Sequence, residues 1–169
     1  KDCKKIIHLS DETGLMVQVG HIERFNSTFT TFDAHFSEKP LFIESHRLTP
    51  FTNRGVDTNV ILDLMIHDID LVLYLVKNEI KAVHANGINI LTSSLDLVNA
   101  RLEFKNGCVA NLVASRISDS PMRKLRVFSK NKYASLDLQN HDLTTYNITK
   151  SSNQNIKKSV FSRNDKFIM

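Results

Sequence analysis

Residues 97–107 read LVNARLEFKNG. Val98, Ala100, Leu102 and Phe104 alternate there with Asn99, Arg101 and Glu103, the period-two pattern of a strand with one buried face. Lys105-Asn106-Gly107 follows, and Asn-Gly between two such runs is the strongest short-range signal for a hairpin turn. The partner strand is then 108–115. On both sides of this hairpin the period stays at two. Residues 81–90 precede it, and 124–129, 133–138 and 143–149 follow. Asn131-Lys132 and Asn140-His141-Asp142 supply further turns. This half of the chain is predicted to be an antiparallel meander.

Residues 58–76 carry the strongest helix pattern. Val60, Leu64, Leu71 and Leu75 form one apolar stripe, widened by Ile61, Met65 and Val72. Such a stripe needs a sheet face to cover. The fold class is therefore α+β, a large, mostly antiparallel open sheet with a long helix packed on one face. Towards the amino end, residues 1–13 read as a helix with Gly14 as its cap. LMVQVG at 15–20 reads as a short buried strand, and a helix followed by a strand is half of an α/β unit. Phe25, Phe29, Phe32 and Phe36 predict a further amphipathic helix and a packing stripe. LFIESHRL at 41–48 predicts a strand, 49–58 a loop, and 150–169 a polar tail with a loop at 151–155.

The chain has 169 residues, 41% of them hydrophobic and 24% charged, the composition of a folded globular protein of one domain or a little more. The most apolar stretch, 60–76, is broken by Asp63, His67, Asp68 and Asp70, so no membrane span is expected. The charged start at Lys1 is not a signal-peptide pattern. Cys3 and Cys108 make no disulfide framework or metal site, and are expected to be reduced thiols in the cytoplasm, Cys108 as core packing. The net charge of +4 comes from Lys and Arg spread along the chain, without a nucleic-acid-binding signature. A phosphate-bearing small substrate fits that balance better.

The chemistry is expected on the long helix. It carries Asp63, His67 and Asp70 as D-x-x-x-H-x-x-D, and residues three and four apart share a helix face. An imidazole beside a carboxylate is a proton-transfer pair near neutral pH. The same residues could instead bond only each other and nearby backbone. H-D-x-D on a helix is not a metal-ligand spacing, and no metal is expected.

The segments VGHIERFN (19–26), LDLMIHDIDLVLYL (62–75) and ASRIS (114–118), in that order, together with F-x-N-G-x-x-A-x-x-x-A-S-R (104–116), resemble the glucose–fructose oxidoreductase and inositol dehydrogenase family, Gfo/Idh/MocA. The resemblance runs from near residue 1 to about residue 137. It implies a Rossmann domain binding NAD or NADP, followed by an α/β substrate domain with a large open sheet. It implies hydride transfer between the cofactor and a sugar or polyol carbon. Asp63 and His67 match the family's aspartate and histidine; His67 would take the substrate hydroxyl proton and Asp63 would orient it. Within the family, the chain most resembles UDP-N-acetylglucosamine 3-dehydrogenases. That gives Arg116 and Arg123 a role at a diphosphate. Arg24, Asn26 and Asp70 are further substrate-binding candidates, and Arg24 and Asn26 could instead line the junction between the two domains. Arg126, His21, His46 and Arg47 are further candidates.

The chain departs from the family pattern. None of its five glycines forms G-x-G-x-x-G, so no cofactor-binding residue is expected in it. Glu38-Lys39-Pro40 has the letters of the family's catalytic-lysine segment but follows VGHIERFN instead of preceding it, and reads as a surface turn. The polar tail does not resemble the family's final helix. Residues 1–20 are therefore expected to be the last helix and strand of a Rossmann domain, and 21–169 a substrate and oligomerisation domain truncated at its carboxyl end. Two readings follow. One is the substrate-binding part of a nicotinamide-dependent sugar or nucleotide-sugar oxidoreductase, inactive alone. The other is a non-catalytic remnant or split-gene module that associates through its open sheet. Both expect a homo-oligomer through that sheet, and neither expects nucleic acid or membrane as a partner.

Overall fold

The structure is a computed structural model and describes residues 2–52, 58–149 and 155–161. Eight strands form one sheet: β1 (Phe42–Leu48), β2 (Ile80–Ile88), β3 (Leu97–Phe104), β4 (Val109–Ser115), β5 (Met122–Phe128), β6 (Lys132–Asp137), β7 (Asp142–Thr149) and β8 (Asn155–Phe161). The helices are α1 (Asp2–Thr13), α2 (Ser27–His35) and α3 (Ile66–Val76). A 3-10 turn at Ile22–Phe25 precedes α2, and a π-helical turn at Ile61–Met65 leads into α3. The α+β class and the mostly antiparallel sheet are as predicted.

The β3–β4 hairpin forms where Asn-Gly placed it. Gly107 takes φ +86°, a conformation glycine adopts without strain, and its N–H donates to the Phe104 carbonyl at 3.0 Å. The meander, however, is not continuous. The strand order is β2-β3-β4-β1-β5-β6-β7-β8. β1 enters the middle, parallel to β4 with Phe42 beside Val109, and antiparallel to β5 with Phe42 beside Phe128. Alternation along a strand says which face is buried, not which strand lies alongside.

The core lies on the helix side of the sheet. Ala100, Leu102 and Phe104 of β3 and Ala110 and Leu112 of β4 belong to one buried cluster with Phe29 and Phe32 of α2 and Leu71 and Val72 of α3. α2 lies over β6 and β7, and α3 over β1 and β4. Burying each large apolar side chain contributes about 1.5–3 kcal/mol relative to leaving it exposed. The opposite face carries a row of rings across four strands. Phe42, Phe128, Tyr133 and Tyr146 follow one another at centroid distances of 5.8, 4.8 and 5.6 Å.

Three expectations are corrected. First, residues 15–20 form no strand; they are exposed coil, Met16 by 91%. α1 is capped by Gly14 as expected, yet it buries no residue. Apolar sequence becomes a strand only beside another strand, and none lies alongside 15–20 among the described residues. Second, Phe25 leaves the phenylalanine stripe and is exposed, because Asn26 starts α2 after it; its side chain accepts from the Thr28 N–H at 3.0 Å. Third, the polar tail contains β8, paired with β7 through Tyr146 beside Lys158. Residues 151–154 of the expected tail loop, and 53–57 of the loop before α3, lie outside the described residues.

Candidate functional site

The carboxyl end of β1, the first turns of α3 and the 3-10 turn at Ile22–Phe25 come together around Arg47. Arg47 shares the phase of Ile43 and Ser45, so the alternation of β1 carries it inward, where it is 3% exposed. A buried guanidinium is costly unless it is paired. Its Nε lies 3.2 and 3.1 Å from the two Asp68 carboxylate oxygens, and its Nη2 donates to Asp68 Oδ1 at 2.8 Å. Its Nη1 donates to Glu23 Oε1 at 2.9 Å. Arg123, opposite Arg47 in the β1–β5 register, adds a 3.4 Å contact to the same Glu23 oxygen. Asp68 and Glu23 are buried with Arg47.

A second ion pair adjoins the first. Arg24 Nε and Nη2 donate to the two oxygens of Asp70 at 2.6 and 2.5 Å, and His21 Nε2 lies 3.8 Å from Asp70 Oδ1. The Arg24 guanidinium also lies 5.3 Å from the centre of the Tyr74 ring, whose hydroxyl donates to Asp33 at 2.7 Å. Neighbouring residues Glu23 and Arg24 thus reach opposite ways, one to the sheet and one to α3. They tie the segment before α2 to both layers.

His67 is half-buried, one residue before Asp68. Its Nδ1 is buried without a hydrogen-bond partner among the described residues. Burial first, and then the Arg47 charge, push the imidazole below the usual histidine range, against the pull of Glu23 and Asp68. A neutral imidazole open on one side can accept a proton.

The expected Asp63–His67 pair is not formed. Asp63 lies in the π-helical turn, where the Ile66 N–H reaches back to the Ile61 carbonyl. The extra residue in that turn breaks the i,i+4 alignment. Asp63 is exposed, and its carboxylate has no hydrogen-bond or ion-pair partner among the described residues. Asp70 does share the site, held by Arg24. Arg123 reaches it through Glu23.

Arg116 and Asn26 have structural partners. Arg116 is 5% exposed, donates to the Thr58 carbonyl at 2.5 Å and lies 3.9 Å from Asp96. Burial alone would raise the Asp96 carboxyl, but N–H groups of Ile90, Leu91 and Thr92 at 2.7, 2.7 and 2.9 Å hold it well below the carboxylate range. Asn26 caps α2 and donates to the Leu138 carbonyl at 3.1 Å. Arg126 pairs with Glu44 at 3.3 Å on the face bearing the aromatic row, where His46 also lies. Glu38-Lys39-Pro40 links α2 to β1. Cys108 is core, its thiol pushed up to about 11 by burial.

Sequence reading missed Glu23 and Asp68. The available signal was Arg47 in phase with Ile43: an inward arginine on a central strand demands acids. Among the described residues no group of three His, Cys, Asp or Glu side chains could hold a metal. Nor do the described glycines form a dinucleotide phosphate cradle. Gly14 caps α1, Gly20 lies in coil, Gly87 packs against Leu95, and Gly107 makes the hairpin.

The comparisons fit this geometry. Residues 17–134 match the family model of the GFO/IDH/MocA C-terminal domain. UDP-N-acetylglucosamine 3-dehydrogenase of Acidithiobacillus ferrooxidans is 37% identical over 146 residues, covering 86% of this chain and 47% of that protein. The chain thus spans about half the length of the curated relative it matches. The solved structure of UDP-N-acetylglucosamine 3-dehydrogenase GnnA from the same organism superposes with a TM-score of 0.84 at 34% identity, covering 94% of this chain and 50% of that one. A dehydrogenase (MviM) from Clostridium difficile, at 20% identity, shares the fold with a TM-score of 0.73, over 92% of this chain and 49% of that one. The chain belongs to the Gfo/Idh/MocA family, and what it contains is that family's C-terminal domain.

Proposed function

We propose that this chain is the substrate-binding portion of a nicotinamide-dependent oxidoreductase that acts on a sugar or nucleotide-sugar hydroxyl, a UDP-linked amino sugar being the preferred class. The observation that carries this reading is the half-buried His67, with a lowered affinity for protons and an ion network behind it. In it, His67 takes the hydroxyl proton while hydride leaves the carbon for NAD or NADP. Asp63 enters this reading only as an exposed carboxylate in the turn that leads into α3, one turn before His67. Arg24, Asp70 and Arg123 border the substrate. Arg116 and Asn26 support it indirectly, through the loop before α3 and the start of α2.

The reading divides the chain at residue 20. Residues 1–20 belong to a Rossmann domain, whose contact would cover exposed Leu15, Met16, Val17 and Val19; residues 21–169 are the substrate domain. The cofactor is held by that other domain. The 169-residue chain is therefore proposed to be inactive and not to bind NADH, and to reside in the cytoplasm with Cys3 and Cys108 as free thiols. Saturable NADH fluorescence from the chain alone would overturn this division.

The direct test is His67→Ala in the intact dehydrogenase. Turnover should fall by about 10²-fold or more, the scale for losing a general base. Turnover within a few-fold of wild type would remove His67 from the mechanism. A second reading, a non-catalytic module that self-associates, draws on the Phe42–Phe128–Tyr133–Tyr146 row. Both readings place a homo-oligomer contact on that face, so only turnover separates them.

A further inference from the structure

We propose that Arg47 is a positioning residue for His67: locked between Glu23 and Asp68, it fixes the helix turn that carries the imidazole and keeps a permanent positive charge behind it. This rests on the reading of His67 as proton acceptor and adds what sets it.

Asp68 follows His67 directly, and three of its contacts are to Arg47. Arg47 stands on β1, which has strands on both sides. The turn bearing His67 is thereby fastened to the middle of the sheet. The charged groups around the imidazole come from every element packed there. Asp68 of α3, His21 and Glu23 of the segment before α2, and Arg47 of β1 act on the ring, while Asp70 is tied to Arg24, Arg123 of β5 reaches Glu23, and Asp63 of the entry turn is exposed. Asp68 and Glu23 are bound to Arg47, and Asp70 to Arg24. Among the described residues, each of these three acids is thus held by an arginine and not by His67. With Nδ1 buried and without a partner among the described residues, the cationic form gains no hydrogen bond on its inner side. The lowered proton affinity of His67, set by burial and then by Arg47, agrees with that arrangement.

The test is an NMR titration of the His67 ring in the full 169-residue chain, with His67→Gln to assign the signal. Arg47→Met should raise the midpoint by about one pH unit, because it removes the cation and leaves the charges of Glu23 and Asp68 unopposed. Arg47→Lys should restore a value near wild type. Glu23→Gln and Asp68→Asn remove acids, and should move the midpoint down. A merely structural role for Arg47 would not produce opposite signs. An unmoved midpoint in Arg47→Met, or the same direction in Arg47→Met and Glu23→Gln, overturns the proposal. If Arg47→Met does not fold, the two acid variants decide: an unmoved or raised midpoint in both overturns it. The titration needs no turnover, so its failure is distinct from failure of the His67→Ala assay. In the intact dehydrogenase, the acidic limb of kcat/KM should shift in the same order.

Discussion

Residues 15–20 (LMVQVG) and Val109–Ser115 (VANLVAS) are two apolar runs of similar make-up with opposite fates. Val109–Ser115 lies between β3 and β1, bonded on both edges, with Ala110, Leu112 and Ala114 fully or almost fully buried. Residues 15–20 are coil, with Val17 and Val19 more than half exposed. The contrast teaches that a strand is a relation between segments. Apolar composition supplies the face to be buried; a neighbouring strand supplies partners for N–H and C=O groups. The same holds for charge. Arg47 and Arg126 sit on adjacent strands, yet Arg47 lies inside between two acids and Arg126 half-exposed beside Glu44.

Four measurements can break or sharpen this contrast. Arg47→Met should cost the chain about 3–5 kcal/mol in urea unfolding, since it leaves Glu23 and Asp68 buried without their cation; Arg126→Met should cost about 1 kcal/mol or less. Equal losses would mean that burial does not separate the two arginines. Leu112→Ala should destabilise by about 2–5 kcal/mol through the cavity it opens, whereas Met16→Ser should stay within about 0.5 kcal/mol. A large loss at Met16 would show that residues 15–20 already have a covering partner. Asn26→Ala, which removes the α2 cap, should cost about 1 kcal/mol by the same assay. The smallest effect is that of His67 on the pH dependence of stability. Its folded-state midpoint is lowered, so the unfolded chain binds the proton first as pH falls. Its contribution is complete above about pH 6.5 and is lost as pH falls from there through the folded midpoint. His67→Gln should flatten that part of the profile, and an unchanged slope would place His67 in water.

Most strands were legible because period two is a local property. β3 and its Asn-Gly turn match the sequence reading residue for residue. β8 was not legible, since Lys157, Lys158 and Ser159 hide the alternation, and pairing with β7 makes it a strand. In the site, His67 and Asp70 were legible from helix spacing. Asp63 was misplaced because spacing arguments assume an unbroken α-helix, and Ile61–Met65 is a π-helical turn. The phase of Arg47 called for buried acids but could not say that Glu23, 24 positions away in the chain, is one of them.

The run of strands from β1 to β7, the buried face of β3 and β4, and the helix bearing His67 follow from local patterns of apolar and polar residues. They hold whichever neighbour each segment finds, because side-chain phase is set by backbone geometry alone. Packing chose the rest: the insertion of β1 between β4 and β5, the exposure of residues 15–20, and the Glu23–Arg47–Asp68 network behind His67. Each of these depends on which distant groups satisfy a hydrogen bond or a charge once water is excluded, and those partners meet only in the folded chain.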